Sequence, residues 1–159
     1  MSAGAQLPPR LAFSGLVLAG GRSRRMQTDK ALLKIEGQPL WQRQRDLLLA
    51  AGAAEVFISA RPDQTWSAGL NVVPDAVPDS GPLGGIVAGL NAARTDHLLV
   101  VAVDLPRLPL TWLDKLVGTA GEKHGSIGRW SDGMFESLAA LFPRKLMGPF
   151  AAALTAVAA

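Results

Sequence analysis

Apolar and polar positions along the chain fall into two alternating kinds of segment. Residues 13–18, 53–59 (AAEVFIS), 70–73 and 97–103 (HLLVVAV) are short apolar runs rich in aliphatic and β-branched side chains, and each predicts a strand. Residues 40–51, 84–94 and 110–119 predict helices, the second with Ile86, Leu90 and Ala93 on one face. Pro39 suits the first position of the 40–51 helix and Gly52 its stop. Residues 126–128 and 135–141 carry weaker strand patterns, and a last helix is expected to begin near Pro143. The run at 97–103 is apolar on both faces, which predicts a strand in the middle of a parallel sheet covered by helices on both sides. Strands and helices alternating with short connections predict an α/β, three-layer fold with a mostly parallel central sheet.

Chemistry concentrates where these strands end. The first strand stops at Leu18-Ala19 and runs into Gly20-Gly21, after which the chain becomes basic through Arg22, Arg24, Arg25 and Lys30. Adjacent glycines let a polyanion approach the backbone, because no Cβ blocks it, and the following cations supply countercharge. The reading is phosphate binding, against the alternative of an ordinary turn with solvated arginines. At least one of the arginines is expected to face phosphate and at least one to be merely solvated. The loop has neither the Gly-Lys-Ser/Thr of a Walker A motif nor the spacing of a dinucleotide fingerprint. Lys30 can reach a phosphate as a point charge or pair with a surface carboxylate. Asp104 closes the run at 97–103, after six consecutive apolar residues, where an unpaired buried carboxylate would be costly. Mg²⁺ carried by a nucleoside triphosphate resolves that cost, and capping of the next turn is the alternative. Ligands in open parallel sheets bind beyond the carboxyl ends of the strands, so Gly20-Gly21 and Asp104 are expected to share one crevice.

A second glycine-rich strip, Ser80-Gly81-Pro82-Leu83-Gly84-Gly85, opens the helix at 84–94 and offers bare backbone to a base or ribose, or simply turns the chain into the helix. Asp75 can accept from a base or sugar hydroxyl or serve as a loop aspartate. Neither His97 nor His124 is assigned a catalytic role, and the four tryptophans read as core or interface.

Composition narrows the classes. The chain has 159 residues, 48% hydrophobic and 18% charged, which suits one globular domain over residues 11–159 behind a tail at 1–10. The formal charge of +3 gathers in residues 22–34 rather than along a face, which favours a local anion and no nucleic acid. No cysteine is present, so disulfides and thiolate chemistry are excluded, which fits a cytoplasmic protein. No segment reaches the length of a membrane span, and the short apolar run after Arg10 reads as a buried strand rather than a signal peptide.

The motifs LVLAGGRSRRM-x-x-DKALL, GPLGGI and VAVDLP together resemble the nucleotidyltransferase family of molybdenum cofactor guanylyltransferases, from about residue 14 to residue 109. The resemblance implies a Rossmann-like nucleotidyltransferase fold and the transfer of GMP from GTP to molybdopterin with Mg²⁺. On matching positions it implies nucleotide contacts from Leu18, Ala19, Gly20 and Gly21, phosphate binding by Lys30, nucleoside contact by Asp75, Mg²⁺ ligation by Asp104, and a nucleotide wall from Gly81 to Gly85, including Pro82, Leu83 and Gly84. Arg22 and Arg25 would join Lys30 in stabilising pyrophosphate. Transient contact with other molybdenum cofactor proteins is implied as well. The chain departs from the family pattern at Gln27-Thr28 and at Ser59-Ala60-Arg61, where Ser59 is the nucleotide-site equivalent and a second polar residue is missing. The family's C-terminal Asn-x-Asn-Thr-Pro strip is also absent, so a GTP-binding but catalytically incomplete paralogue is one alternative. A relative with another base or acceptor, cytidylyl or sugar-phosphate, is the other.

Overall fold

Strand β1 (Ser14–Leu18) is buried along its whole length, as a run without polar interruption requires. It is part of a computed structural model that describes residues 10–21, 28–75, 77 and 80–158. After a single helical turn at Lys30–Leu32 come β2 (Lys34–Ile35), β3 (Gln38–Pro39) and helix α1 (Leu40–Ala50). Then follow β4 (Val56–Ser59), β5 (Val72–Val73), α2 (Pro82–Ala92) and β6 (His97–Ala102). Helix α3 (Leu110–Thr119), β7 (Ser126–Arg129), β8 (Phe135–Pro143) and α4 (Met147–Ala158) complete the described chain.

Among the described residues the main sheet has strand order β5-β4-β1-β6-β8-β7. The pairs β5–β4, β4–β1 and β1–β6 are parallel, whereas β6–β8 and β8–β7 are antiparallel. The sheet is therefore mostly parallel, as the alternating pattern predicts. The run at 97–103 is central, but its second neighbour β8 runs the other way, with Leu99 opposite Leu141 and Val101 opposite Ala139.

Period-two alternation sends opposite sides of each strand into separate cores. Val17, Leu99 and Val101 pack with Leu48 of α1 and Leu113, Leu116 and Val117 of α3. Leu16, Leu18, Leu98 and Val100 pack with Ile86 and Leu90 of α2, and Phe150 of α4 leans on the same cluster. The result is the three-layer arrangement expected for an α/β chain. No helix among the described residues is long and apolar enough to cross a membrane.

Several boundaries shift for local reasons. The strand expected from residue 53 starts at Val56, because the Ala53 N–H bonds Leu48 and the Ala54 N–H bonds Phe13 instead of the sheet. Helix α2 starts at Pro82 rather than residue 84. Gly81 precedes it with φ +66°, and proline sits readily in a first helical turn, where its missing N–H costs nothing. Residues 142–143 extend β8, with Pro143 opposite His97, so the last helix begins four residues later at Met147. The β2–β3 ribbon was not foreseen: Glu36 (φ +53°) and Gly37 (φ +80°) form its turn, and Gly37 alone is a weak signal for two positive-φ positions.

Candidate functional site

The strand order reverses beside β1: β4 and β5 are laid down to one side, and the chain then returns to place β6 on the other. At such a switch point the connections leaving two neighbouring parallel strands diverge and open a crevice at their carboxyl ends. Here the diverging segments are Ala19-Gly20-Gly21 after β1 and Val103-Asp104 after β6. A cavity of about 290 Å³ lies there, and both segments line it.

From the β1 side the lining is Leu18, Ala19, Gly20 and Gly21, and Lys30 borders the cavity as well. Ser59, at the end of β4, and Asp75, just after β5, form a third wall, and Gly81 and Pro82 at the start of α2 a fourth. The structure thus brings nine of the residues singled out in the sequence, together with Asp104, into one cavity. Leu83 and Gly84 do not line it. Gly84 faces Ser80, Val77 and Asp75 inside the turn that enters α2. Arg22 and Arg25 lie outside the described residues.

The Ser59 hydroxyl donates to Asp75 Oδ1 at 2.8 Å, so one oxygen of this cavity-lining carboxylate is held from the end of β4. This pair meets two bare backbones. A Cβ on Gly85 would stand 2.5 Å from Ser59 Oγ and 2.8 Å from Leu18 Cδ2, so α2 approaches the ends of β1 and β4 only because residue 85 has no side chain. A Cβ on Gly20 would stand 3.6 Å from Ser59 Oγ and 3.7 Å from Asp75 Oδ2, which is ordinary contact. At Gly20 the missing side chain leaves room within the cavity rather than relieving a clash.

Sequence reasoning missed the group that holds the loop's two ends. The buried Gln64 side chain donates from Nε2 to the Ala19 carbonyl at 2.9 Å and to Asp29 Oδ2 at 2.6 Å. Asp29 also accepts from Trp66 Nε1 at 2.8 Å, and its Oδ1 caps the turn at Lys30–Leu32 through the Ala31 N–H at 3.0 Å. Trp66 is itself stacked on Trp41 with ring centroids 5.8 Å apart. Arg61, also on the cavity, donates from Nη1 to the carbonyls of Gly20 (2.7 Å) and Gly21 (3.0 Å). The only sequence hint was the Asx-type pattern of Asp29 before a short apolar turn. Contacts between residues 35 to 45 apart leave no local signature.

Lys30 and Asp104 are both exposed, and neither pairs with another described residue. For Asp104 this alters the argument: its carboxylate stands at the mouth of the cavity rather than buried, so no desolvation cost demands a counter-ion. What it offers is an unspent hard-oxygen ligand. The described residues hold no cluster of three or more metal-ligating side chains. One free carboxylate suits magnesium, which binds proteins through one or two carboxylates and fills its remaining positions with substrate phosphates and water. His97 is buried at the opposite end of β6, with Nε2 at 3.1 Å from the Gly121 carbonyl, away from the cavity.

Residues 15–158 match the model of the MobA-like NTP transferase domain. A probable molybdenum cofactor guanylyltransferase of Opitutus terrae is 41% identical over 136 residues, covering 83% of this chain and 67% of the relative. The molybdenum cofactor guanylyltransferase of Xanthomonas euvesicatoria is 47% identical over 107 residues, covering 66% of this chain and 53% of the relative. The chain thus spans about half to two thirds of these curated relatives. Among solved structures, molybdopterin-guanine dinucleotide biosynthesis protein A of Archaeoglobus fulgidus superposes with TM-score 0.66 at 20% identity, covering 89% of this chain and 73% of that one. A nucleotidyl transferase from Methanothermobacter gives 0.69 at 22%, covering 87% and 74%. At these identities the superpositions speak for the fold, and the family rests on the sequence matches: the chain belongs to the MobA-like NTP transferase domain family.

Proposed function

We propose that this chain transfers the GMP group of GTP to the terminal phosphate of molybdopterin and releases pyrophosphate. The observation that carries the reading is the shared cavity, where the bare backbone of Gly20-Gly21, the Lys30 ammonium and the Asp104 carboxylate face one space. The relatives' description as molybdenum cofactor guanylyltransferases supports the choice of base and acceptor.

In this reaction an oxygen of the acceptor phosphate attacks the α-phosphorus. The new O–P bond forms as the bond from that phosphorus to the α–β bridging oxygen breaks, and the electron pair leaves with pyrophosphate. The attacking oxygen is already anionic, so no side chain need remove a proton. The chain's task is to hold the two substrates in line and to balance charge. The backbone at 18–21 and the Ser59–Asp75 pair would seat the nucleoside, with Asp75 Oδ2 accepting from a base N–H or a sugar hydroxyl. Lys30 would stabilise the charge growing on pyrophosphate, with Arg22 and Arg25 assigned to the same role from their places in the loop. Asp104 would hold Mg²⁺ together with the nucleotide's phosphates; when bound, the ion neutralises phosphate charge and orients the leaving group. A chain without cysteine suits a cytoplasmic reaction, in transient contact with the proteins that supply or take the cofactor.

Pyrophosphate release is the test, measured with GTP, ATP or CTP, with and without molybdopterin and Mg²⁺. Release that needs GTP, molybdopterin and the metal together is the expected result. Release with CTP in place of GTP would overturn the base, and GTP binding without any release would leave only a nucleotide-binding domain.

A further inference from the structure

Helix α1 carries one residue that its amphipathic pattern does not explain. Gln44 faces inward, 1% exposed, on a helix whose other buried residues are Leu40 and Leu48. A buried primary amide is costly unless its hydrogens find acceptors. Both do: Nε2 donates to the carbonyl of Ala102 at 3.0 Å and to that of Leu105 at 2.8 Å. These carbonyls lie two residues before and one residue after Asp104. Because both partners are acceptors, only the NH₂ end of the side chain can occupy this place, so the amide orientation is fixed.

The surrounding backbone shows what the two bonds add. The Val103 N–H to Leu18 carbonyl bond at 3.2 Å links the end of β6 to β1. Within the turn, Leu105 N–H returns to Ala102 at 3.3 Å, and Leu108 N–H to Leu105 at 3.1 Å. Both of these bonds join residues three apart, so neither fastens the turn to another element. Gln44 ties both of its ends to the rigid body of α1. The preceding residue adds a weaker hold, Arg43 Nε donating to the Pro106 carbonyl at 3.1 Å.

We infer that Gln44 is a positioning residue: its amide clamps the Ala102–Leu105 turn so that the Asp104 carboxylate faces the cavity. The inference rests on the reading of Asp104 as the metal-holding carboxylate. Groups that orient a metal ligand without touching the metal commonly affect metal affinity or activity by ~10–100-fold when removed. Gln44→Leu keeps the packing volume and deletes both donors. Arg43→Ala, on the half-exposed side of α1, deletes the weaker hold without touching the core. Leu48→Ala removes a buried side chain of the same helix that has no donor to offer the turn's carbonyls, and so reports plain destabilisation.

The measurements are Mn²⁺ affinity of the protein–GTP complex by electron paramagnetic resonance, GTP affinity without metal, the melting temperature and kcat. Gln44→Leu is expected to weaken Mn²⁺ binding and lower kcat by ~10-fold or more with metal-free GTP affinity unchanged, and Arg43→Ala to shift both in the same direction by less. Leu48→Ala is expected to lower the melting temperature and leave Mn²⁺ affinity alone. Unchanged Mn²⁺ affinity in both Gln44→Leu and Arg43→Ala would overturn the inference, as would an equal loss in Leu48→Ala. Asp104→Asn separates the two readings. If it leaves Mn²⁺ affinity intact, the assignment of the metal to Asp104 fails. If it abolishes Mn²⁺ binding while the Gln44 and Arg43 variants do not move it, only the clamp fails.

Discussion

Gly20 and Gly85 both lack a side chain beside the same Ser59–Asp75 pair, yet they answer to different constraints, and substitution separates them. A Cβ at residue 20 meets Ser59 and Asp75 at ordinary contact distance, so Gly20→Ala is expected to melt like the parent. It places a methyl group in the cavity, so GTP affinity by calorimetry should fall about tenfold or more. A Cβ at residue 85 would meet Ser59 Oγ at 2.5 Å, so Gly85→Ala must push α2 outward or break the Ser59–Asp75 bond, and both melting temperature and GTP affinity should drop. Asp104→Asn keeps volume and removes charge. Pyrophosphate release is expected to vanish while metal-free GTP binding persists, and full release in that variant would remove the carboxylate from the reaction. At this scale the sequence was readable where a residue type carries its own meaning: doubled glycines, a lone aspartate ending an apolar run. It was silent about Arg61, Gln64 and Gln44, since a side chain serving a carbonyl tens of residues away is defined by the fold and not by its neighbours.

Whole elements obey their packing. Leu90 is fully buried on the inner face of α2, between that helix and strands β1 and β6. Leu90→Ala leaves a cavity there and is expected to cost about 3 kcal/mol in denaturant unfolding, the middle of the range for buried leucines. An exposed leucine such as Leu49 should cost far less in the same experiment. The long apolar strands and the helices with clear stops were legible because period and punctuation agree. Short pieces were not. The β2–β3 ribbon has two residues per strand and turns at Glu36-Gly37, below the length at which alternation can be read. The end of β8 was misplaced for a related reason: Pro143 resembles a helix start, yet here it closes a strand against His97.

For the molecule as a whole, the reversal of strand order puts the candidate site at one edge of the sheet, with the two cores on either face beneath it. Each core is built from one side of the same strands, and Leu90 lies about two turns along α2 from Pro82, where that helix lines the cavity. That predicts that Leu90→Ala, though destabilising, changes the metal-free GTP affinity of the folded protein little. The fold and the sharing of one cavity by Gly20-Gly21 and Asp104 were thus readable before any coordinates, because both follow from topology. The fastening of the site was not. Gln64 joins Ala19 to Asp29, the residues on either side of the glycine–arginine segment. Lys30 is consequently kept at its station by a link that does not run through positions 22–27. This span could vary in length among related proteins, or be enlarged by design, without the lysine losing its place.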